Sequence, residues 1–311
     1  MRFPVAFSSA ALFGFALSSF AQGPAITRGG IVGAAGFAQG QAIAGGSLAT
    51  IFGTSLAAGL APLATVPMPT ITSGGIVPVY SNVSTIQSGE WVSIYGSNLS
   101  GTGAPATWNG DFPLTLGSTS VTVNGKSAYL WYVSPTQINL QAPLDTATGA
   151  VPVVVTTPSG SVTSTVTLAQ FAPSFSLLDA THVAGIILRS DGSGAFGGGT
   201  YDIVGPTGTS LGYKTVAAKA GDSVVLFAVG LGPTNPVVPP GATYSGAATT
   251  TTTVNLLINS MSVAPAFCGE TSAGLYQMNL TIPSGLGTGD VPLQALVGGV
   301  QTPTGPVISL Q

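Results

Sequence analysis

The sequence has little charge and almost no cysteine. Charged residues make up 5% of its 311 residues, whereas a typical domain has about 25%. The six Lys and Arg residues are scattered singly, so there is no basic patch that could bind nucleic acid or an anionic lipid surface. The single cysteine, Cys268, excludes an intramolecular disulfide and a multi-cysteine zinc site.

The sequence also lacks the features of long helices and of disorder. No stretch combines a helical periodicity with capping residues, and 44 Gly with 23 Pro indicate short strands and tight turns. The hydrophobic fraction of 45% is that of a globular protein, whereas disordered chains combine low hydrophobicity with high charge. We therefore expect an all-β protein and, at this length, more than one domain.

The first 21 residues have the pattern of a secretory signal peptide. Arg2 supplies the positive n-region, residues 5–17 form an apolar segment, and Ser19 and Ala21 provide a small-x-small cleavage site. A membrane span needs about 20 apolar residues, and polar residues interrupt this segment too soon. We expect cleavage after Ala21 and a secreted protein, extracellular or periplasmic, with no transmembrane segment after cleavage.

A strand motif that is bounded by glycine occurs three times. Its copies lie at residues 46–56, 89–99 and 221–231, and a Gln-x-Asn motif follows the last two copies at residues 137–143 and 277–283. A duplicated pair of motifs indicates repeated units. We predict two complete units, residues 74–172 and 173–311. Residues 22–73 contain only the first motif, and they form either a partial repeat unit or a flexible leader.

Short apolar strands separated by turn residues predict antiparallel β-sandwiches. Residues 118–126 alternate with period two and end in Asn124-Gly125, a strong hairpin signal, for which Tyr129–Val133 is the expected returning strand. In the Gln-x-Asn motifs, Gln and Asn share one face of a strand. We expect the four amides to satisfy backbone groups at a sheet edge or to form a polar binding surface, and they belong to Gln137, Asn139, Gln277 and Asn279.

Several of these stretches resemble a known family. They are Gly-x-x-Val-x-Ile-Tyr-Gly-x-Asn-Leu at 89–99, Val-x-Val-Asn-Gly at 121–125, Gly-Leu-Gly-Pro-Thr at 230–234 and Gly-Leu-Tyr-Gln-Met-Asn-Leu-Thr-Ile-Pro at 274–283. Over residues 74–311 the chain resembles a family of uncharacterised exported bacterial proteins, best known as a C-terminal domain abundant in soil acidobacteria. More loosely, Tyr-Gly-Ser-Asn-Leu at 95–99 is similar to the opening of IPT/TIG domains. The resemblance implies tandem Ig-like antiparallel β-sandwich domains, and it carries no activity over to this chain.

Motifs that suggest catalysis or metal binding are isolated. Ser210 lies in a Gly-x-Ser-x-Gly sequence at 208–212, but a nucleophile elbow needs a strand-turn-helix and a histidine, and His182 is the only one. Residues 192–197 match Gly-x-Gly-x-x-Gly without the helix that binds phosphate. With one histidine and nine dispersed acids we expect no cofactor and no metal beyond an incidental calcium site near Asp191. We expect Cys268 to be a buried hydrophobe and His182 a surface or loop residue.

These observations predict a secreted, non-enzymatic protein for adhesion or interaction at the cell surface, with a protein or polysaccharide as its partner. The alternative is a carbohydrate-binding protein, with or without weak glycoside hydrolase activity, whose binding residues are Trp91, Trp108 and Trp131. Three tryptophans stacked on a flat solvent-exposed face would favour sugar binding, and three buried tryptophans would favour a scaffold. A third possibility is an envelope spacer that self-associates through sheet edges.

Overall fold

The structure is a computed structural model, and it describes residues 25–33, 49–54 and 67–311. In these ranges the regular structure is β-strand, apart from one 3₁₀ turn at Gly197–Gly199, so the predicted all-β class is confirmed. The predicted signal peptide and the remainder of residues 22–66 lie outside the described residues. The chain divides into two compact units, Met1–Thr65 and Val66–Gln311.

In the first unit, strands β1 (Ala25–Gly33) and β2 (Ala49–Thr54) pair antiparallel. Their register, including an irregularity in the longer strand, is the same as that of the first strand pair in the second unit, formed by Thr70–Pro78 and Trp91–Ser97. The equivalent pairs are Ile26–Gly53 with Ile71–Gly96, and Ile31–Ile51 with Ile76–Ile94. The described part of residues 22–73 therefore contains a second copy of this strand pair.

The second unit begins with a sandwich of two five-stranded sheets. One sheet has the order β3-β5-β10-β9-β6 and the other β4-β12-β11-β7-β8. The strands are β3 Thr70–Pro78, β4 Thr85–Gln87, β5 Trp91–Ser97, β6 Ala106–Thr107, β7 Ser120–Val123, β8 Lys126–Ser127, β9 Tyr129–Val133, β10 Gln137–Gln141, β11 Gly149–Thr157 and β12 Gly160–Ala169. Alternate residues of both sheets, such as Ile94 and Val153, form one buried core between them.

The predicted hairpin at Asn124-Gly125 is present, but its returning strand differs from the prediction. Both turn residues have positive φ, 51° and 76°, as this type of tight turn requires. The strand that returns beside β7 is the two-residue β8. The expected returning strand, Tyr129–Val133, instead pairs with β10 and β6 in the opposite sheet. Ala128, which is fully buried, lies between β8 and β9 where the chain passes from one sheet to the other.

A second sandwich follows, and its strands surround a separate core. An eight-stranded sheet has the order β15-β14-β16-β22-β21-β18-β17 with β13 on β16, and it faces a sheet of order β20-β19-β23-β24 with β25 on β23. The strands are β13 Ser174–Phe175, β14 Gly185–Leu188, β15 Tyr201–Ile203, β16 Ser223–Val229, β17 Thr234–Asn235, β18 Ala248–Thr250, β19 Val254–Ile258, β20 Met261–Val263, β21 Phe267–Ser272, β22 Leu275–Thr281, β23 Gly289–Val297, β24 Val300–Gln301 and β25 Val307–Leu310.

The two repeated motifs are neighbouring strands in both sandwiches. β5 pairs with β10 so that Ser93 lies opposite Asn139, and β16 pairs with β22 so that Val225 lies opposite Asn279. As predicted, the Gln and Asn side chains share one face. They bond to each other rather than to edge backbone groups, because the Gln amide donates to the Asn oxygen at 2.8 Å in β10 and 2.7 Å in β22.

The glycines that bound the third copy of the strand motif make different demands. Gly221 and Gly230 both have positive φ, 89° and 72°. A Cβ on Gly221 would meet nothing within 4 Å, whereas a Cβ on Gly230 would overlap the Ala172 carbonyl and the Glu90 carboxyl. Gly230 is therefore needed for close packing of the two sandwiches, and Gly221 only for its backbone conformation.

This difference predicts the cost of adding a methyl group at each position. Gly221→Ala should lower the free energy of unfolding by about 1–2 kcal/mol, the cost of a left-handed residue. Gly230→Ala should lower it by about 3–4 kcal/mol, because a steric overlap is added. Urea unfolding of both variants measures the difference, and equal losses would contradict this account of Gly230.

Candidate functional site

The three tryptophans lie together on the outer face of the sheet β3-β5-β10-β9-β6. Val92 and Ile94 of β5 point into the core, so Trp91 points outward from the same strand, and in β9 Trp131 follows the buried Leu130. Trp108 comes directly after β6, beside β9. Trp131 is 37% exposed, and the other two are half-buried.

Trp91 is at the centre of the aromatic cluster. Its ring centroid lies 5.9 Å from that of Trp108 and 5.8 Å from that of Trp131, both in edge-to-face geometry. Phe112, which the sequence analysis did not single out, packs edge-to-face on Trp108 at 4.6 Å. Edge-to-face pairs at these distances are favourable. The rings form an angled wall and not one flat platform.

The cluster forms one wall of a cleft of about 630 Å³, which we call the aromatic cleft. Ser93, Gln137 and Asn139 form its polar floor, and Tyr80 and Tyr95 extend the aromatic wall. The second sandwich supplies the opposite wall, which comprises Ser176, Val229, Ser272, Ala273 and Leu275. Among the described residues that line the cleft, none is charged.

Trp91 also joins the two walls of the aromatic cleft. Its indole Nε1 donates a hydrogen bond of 2.9 Å to the carbonyl of Ala273, in the turn between β21 and β22. The next residue, Gly274, has a φ of 72°, and a Cβ there would lie 2.9 Å from Cδ1 of Trp91. A glycine is therefore required for this turn to approach the indole so closely.

Behind the cleft, buried polar groups connect the sandwiches. The Gln87 amide nitrogen donates to the Tyr276 hydroxyl at 3.0 Å, and the Gln87 amide oxygen accepts from the backbone N–H of Gly232 at 2.6 Å. The Tyr276 hydroxyl in turn donates to the carbonyl of Gly232. Gln141 connects the sandwiches in a similar way. Its amide nitrogen donates to the Gly89 carbonyl and its amide oxygen accepts from the Gly241 N–H, both at 3.0 Å.

Two glutamates with perturbed pKa values belong to this junction. Glu90 is fully buried, and burial raises its pKa well above the ordinary value of 4.5, although the Gln87 N–H that it accepts at 2.6 Å lowers it in part. Its second oxygen, Oε1, has no hydrogen-bond partner among the described residues. Burial also raises the pKa of Glu270 to about 7, against the lowering effect of the Gly274 N–H and the Tyr276 hydroxyl.

The residues considered for catalysis are not arranged as a catalytic group. His182 is more covered than expected, with its side chain 14% exposed, and its two ring nitrogens contact Asp179 at 2.7 Å and Asp290 at 3.3 Å. Ser210 is exposed in a loop. Cys268 is buried as predicted, and burial raises its pKa to about 12. The described residues contain no group of three metal-ligating side chains and no helix long and apolar enough to cross a membrane.

The sequence analysis missed Gln87, Glu90, Glu270 and Tyr276. One signal was available for Glu90. It follows the first glycine of the strand motif, and in a chain with nine acids a carboxyl at the start of an apolar strand is unusual. The equivalent residue in the second sandwich, Asp222, is paired with Arg189 at 3.0 Å. Glu270 has no such signal, because its burial depends on contacts with distant residues.

Several solved structures show a low similarity to this chain. Solved structures that resemble this chain include SGBP-B of a mixed-linkage glucan utilization locus of Bacteroides ovatus, in complex with a heptasaccharide, at 12% identity and a TM-score of 0.32. The match covers 80% of this chain and 46% of that one. SGBP-B of a xyloglucan utilization locus of Bacteroides uniformis has 14% identity, a TM-score of 0.25, and coverage of 78% and 50%. The titin Ig tandem A164–A165 has 11% identity, a TM-score of 0.20, and coverage of 78% and 96%.

The class of protein follows from the sheet topology and from a family model: this is a tandem Ig-like β-sandwich protein. Within it, residues 69–171 match the model of the IPT/TIG domain family, which confirms the looser of the two resemblances seen in the sequence. This match covers the first sandwich. No protein of curated function matches the chain in sequence. The chain covers only about half of the length of the two SGBP-B proteins.

Among the described residues Glu90 has no cationic partner, whereas Asp222 is paired with Arg189, so replacing each acid by its amide should have opposite effects on stability. Unfolded Glu90 loses its proton above about pH 4.5, whereas the raised pKa keeps the folded side chain protonated, so stability falls as pH rises above that value. Glu90→Gln removes this loss. Its stability advantage over the wild type should be larger at pH 8 than at pH 5, by about 1 kcal/mol or more.

Asp222→Asn is the control at the equivalent repeat position. It removes a charge that accepts from Arg189 and from the Lys219 N–H, both at 3.0 Å. It should therefore lower the free energy of unfolding by about 1–3 kcal/mol. Urea unfolding at both pH values tests the pair of variants. A stability difference between Glu90→Gln and the wild type that does not grow from pH 5 to pH 8 would contradict a protonated Glu90 in the folded protein.

Proposed function

We propose that this protein is a non-enzymatic, extracellular binding protein that adheres to a neutral polysaccharide through the aromatic cleft. The observation that carries the proposal is the composition of the cleft, in which several aromatic rings face amide and hydroxyl groups without any charged side chain. Ligand sites are concave and mostly apolar, with a few placed polar groups. This description fits the cleft, with its volume of about 630 Å³.

A sugar ring matches both kinds of wall. The C–H groups on the face of a pyranose pack on aromatic rings, and Trp131 and Trp108 offer ring surface to solvent. The hydroxyls at the rim of the sugar need hydrogen-bond donors and acceptors. The bond between Gln137 and Asn139 occupies one N–H of Gln137 and the oxygen of Asn139, so the Gln137 oxygen and the Asn139 amino group are left to bind a ligand. An acidic polysaccharide would lack a counter-charge here, because no Lys or Arg lines the cleft.

Extracellular location and a non-enzymatic role are parts of the same proposal. Location rests on the signal-peptide pattern of residues 1–21. The non-enzymatic role is supported by the burial of Cys268 and by the two carboxylates that engage His182, since neither side chain is available as a nucleophile or base in the cleft. A Ser- and Thr-rich surface with little charge also suits adhesion to uncharged matrix material.

The test is binding of the protein expressed without residues 1–21 to soluble neutral and acidic polysaccharides, measured by calorimetry. We expect saturable binding of at least one neutral polysaccharide and none of the acidic ones. Trp131→Ala and Trp108→Ala should each weaken binding by about tenfold or more, as expected for aromatic anchors. Trp91 is unsuitable for this test, because its indole also holds Ala273.

Tyr213→Ala is the matched control. Tyr213 is 36% exposed, close to the exposure of Trp131, but it does not line the aromatic cleft. This variant should bind as the wild type does. Binding that is unchanged in both tryptophan variants would rule out the cleft as the site. Absence of any polysaccharide ligand, together with capture of a protein partner by the same face, would assign the cleft to protein–protein adhesion.

A further inference from the structure

A second cavity, which we call the acidic cavity, is lined by residues of both sandwiches and shares none of them with the aromatic cleft. Its volume is about 430 Å³, within the range of small-molecule sites. The two sites differ in charge. Glu270 and Asp145 line the acidic cavity, and no lysine, arginine or histidine is among the described residues around it. A ligand there meets negative charge, whereas a ligand of the aromatic cleft meets none.

Glu270 brings to this cavity a carboxyl oxygen that no donor satisfies. The residue is in β21 and 8% exposed, and its Oε2 accepts the backbone N–H of Gly274 at 3.2 Å. The neighbouring Tyr276 hydroxyl does not serve Oε1, because it donates its one hydrogen to the Gly232 carbonyl. Within the described part of the chain Oε1 therefore has no hydrogen-bond donor, and the side chain lines the acidic cavity. An unsatisfied acceptor of this kind is suited to a donor from a ligand.

Asp145 adds a fixed negative charge to the acidic cavity. The Ala147 N–H donates to it at 3.0 Å and the Asn124 amide at 2.9 Å, and these hydrogen bonds lower its pKa to about 2. Lys126 pairs with Asp145 at 3.3 Å, but its side chain is about half exposed and does not line the cavity. Asp145 therefore stays ionised and attracts a cation, while its oxygens are already bonded within the protein.

The remaining wall of the acidic cavity favours an organic cation over a metal ion. Leu144 and Val237 line it and are 45% and 65% exposed, so they offer apolar surface to a ligand. A calcium ion needs six to eight oxygen ligands, and the described residues contain no group of three acids, histidines or cysteines that could hold a metal. A ligand with a cationic head and a hydrocarbon body matches both parts of the wall.

We propose that the acidic cavity binds a small aliphatic ammonium ion, whose N–H groups donate to Glu270 and whose hydrocarbon body packs on Leu144 and Val237. The ammonium group supplies donors to an oxygen that has none and a positive charge to two acids, and hydrogen bonds between charged groups are the strong ones. This site goes beyond the proposed function and does not depend on it, because none of its residues lines the aromatic cleft.

Competition between the ammonium ion and a proton gives the site a signature. An ammonium ion binds the ionised carboxyl, and burial raises the pKa of Glu270 to about 7. Below that value a proton must leave first, so affinity should weaken by about tenfold for each pH unit from 7 down to 5. The other titratable groups beside Glu270 do not change in this range, since Tyr276 and Cys268 stay neutral and Asp145 stays ionised.

The experiment is calorimetry on the protein expressed without residues 1–21, with three probes of equal chain length: hexylammonium, 1-hexanol and hexanoate. At pH 7.5 and constant ionic strength, we expect hexylammonium to bind saturably and at least about tenfold more tightly than 1-hexanol, and hexanoate not to bind. At pH 6, hexylammonium should release about one proton, measured in buffers of different ionisation enthalpy, and 1-hexanol should release none.

Variants separate the carboxyl from the apolar wall. Glu270→Gln should weaken hexylammonium by about tenfold or more and leave 1-hexanol unchanged, which also shows that the cavity is intact. Val237→Ala should weaken both probes equally, by about two- to fivefold. Asp191→Asn is the matched control, because it removes one exposed acid that does not line the cavity. This variant should bind hexylammonium as the wild type does.

The proposal and the proposed function can fail separately. Hexylammonium that does not bind, that binds no more tightly than 1-hexanol, or that binds Glu270→Gln as it binds the wild type would overturn the ammonium site and leave the aromatic cleft untouched. If Glu270→Gln does not fold, proton release and the pH profile of the wild type decide the question. Failure of every polysaccharide to bind would overturn the proposed function alone.

Discussion

The rest of the structure depends on the hydrogen-bonded pairing of a glycine-bounded strand with a Gln-x-Asn strand. In each sandwich this pair places alternate apolar residues, such as Ile94 beside Ile138 and Leu226 beside Met278, in the core. Because side chains alternate between faces, the same pairing fixes which residues point outward. The core and the candidate site are therefore two faces of one strand pair, and a change of register by one residue would exchange them.

The chain has few charged residues, yet two of its acids are buried where water solvates them poorly. Glu90 and Glu270 both lie in the junction between the sandwiches, and no lysine or arginine contacts either of them in the described residues. A buried carboxyl without a cation is costly as an anion and is retained more easily as a neutral acid. The junction is consequently held by neutral hydrogen bonds through Gln87 and Tyr276.

The sequence was informative where local pattern decides structure, and less so where distant segments meet. Strand composition and the resemblance to IPT/TIG domains predicted the Ig-like β-class, and Asn124-Gly125 predicted its turn, because these features depend on neighbouring residues. The expected return along Tyr129–Val133 was wrong, since a strand can leave a hairpin for the opposite sheet without a change in its own pattern. The tryptophans were identified as candidates, but their assembly depends on Ala273, 182 residues beyond Trp91.

The internal repeat separates the residues that build the fold from those that distinguish the site. The hydrogen bond between the Gln and Asn side chains occurs in both sandwiches with nearly the same length. It is therefore a feature of the fold, even where these side chains form the floor of the aromatic cleft. Trp91 has no such counterpart. Its position opposite Gln141 is equivalent to that of Ser223 opposite Thr281 in the second sandwich, where a small hydroxyl side chain is sufficient for pairing. A large indole is therefore not required by the strand motif. Its presence in one copy serves contacts that the second sandwich lacks, namely those with two further tryptophans and with the Ala273 carbonyl across the cleft.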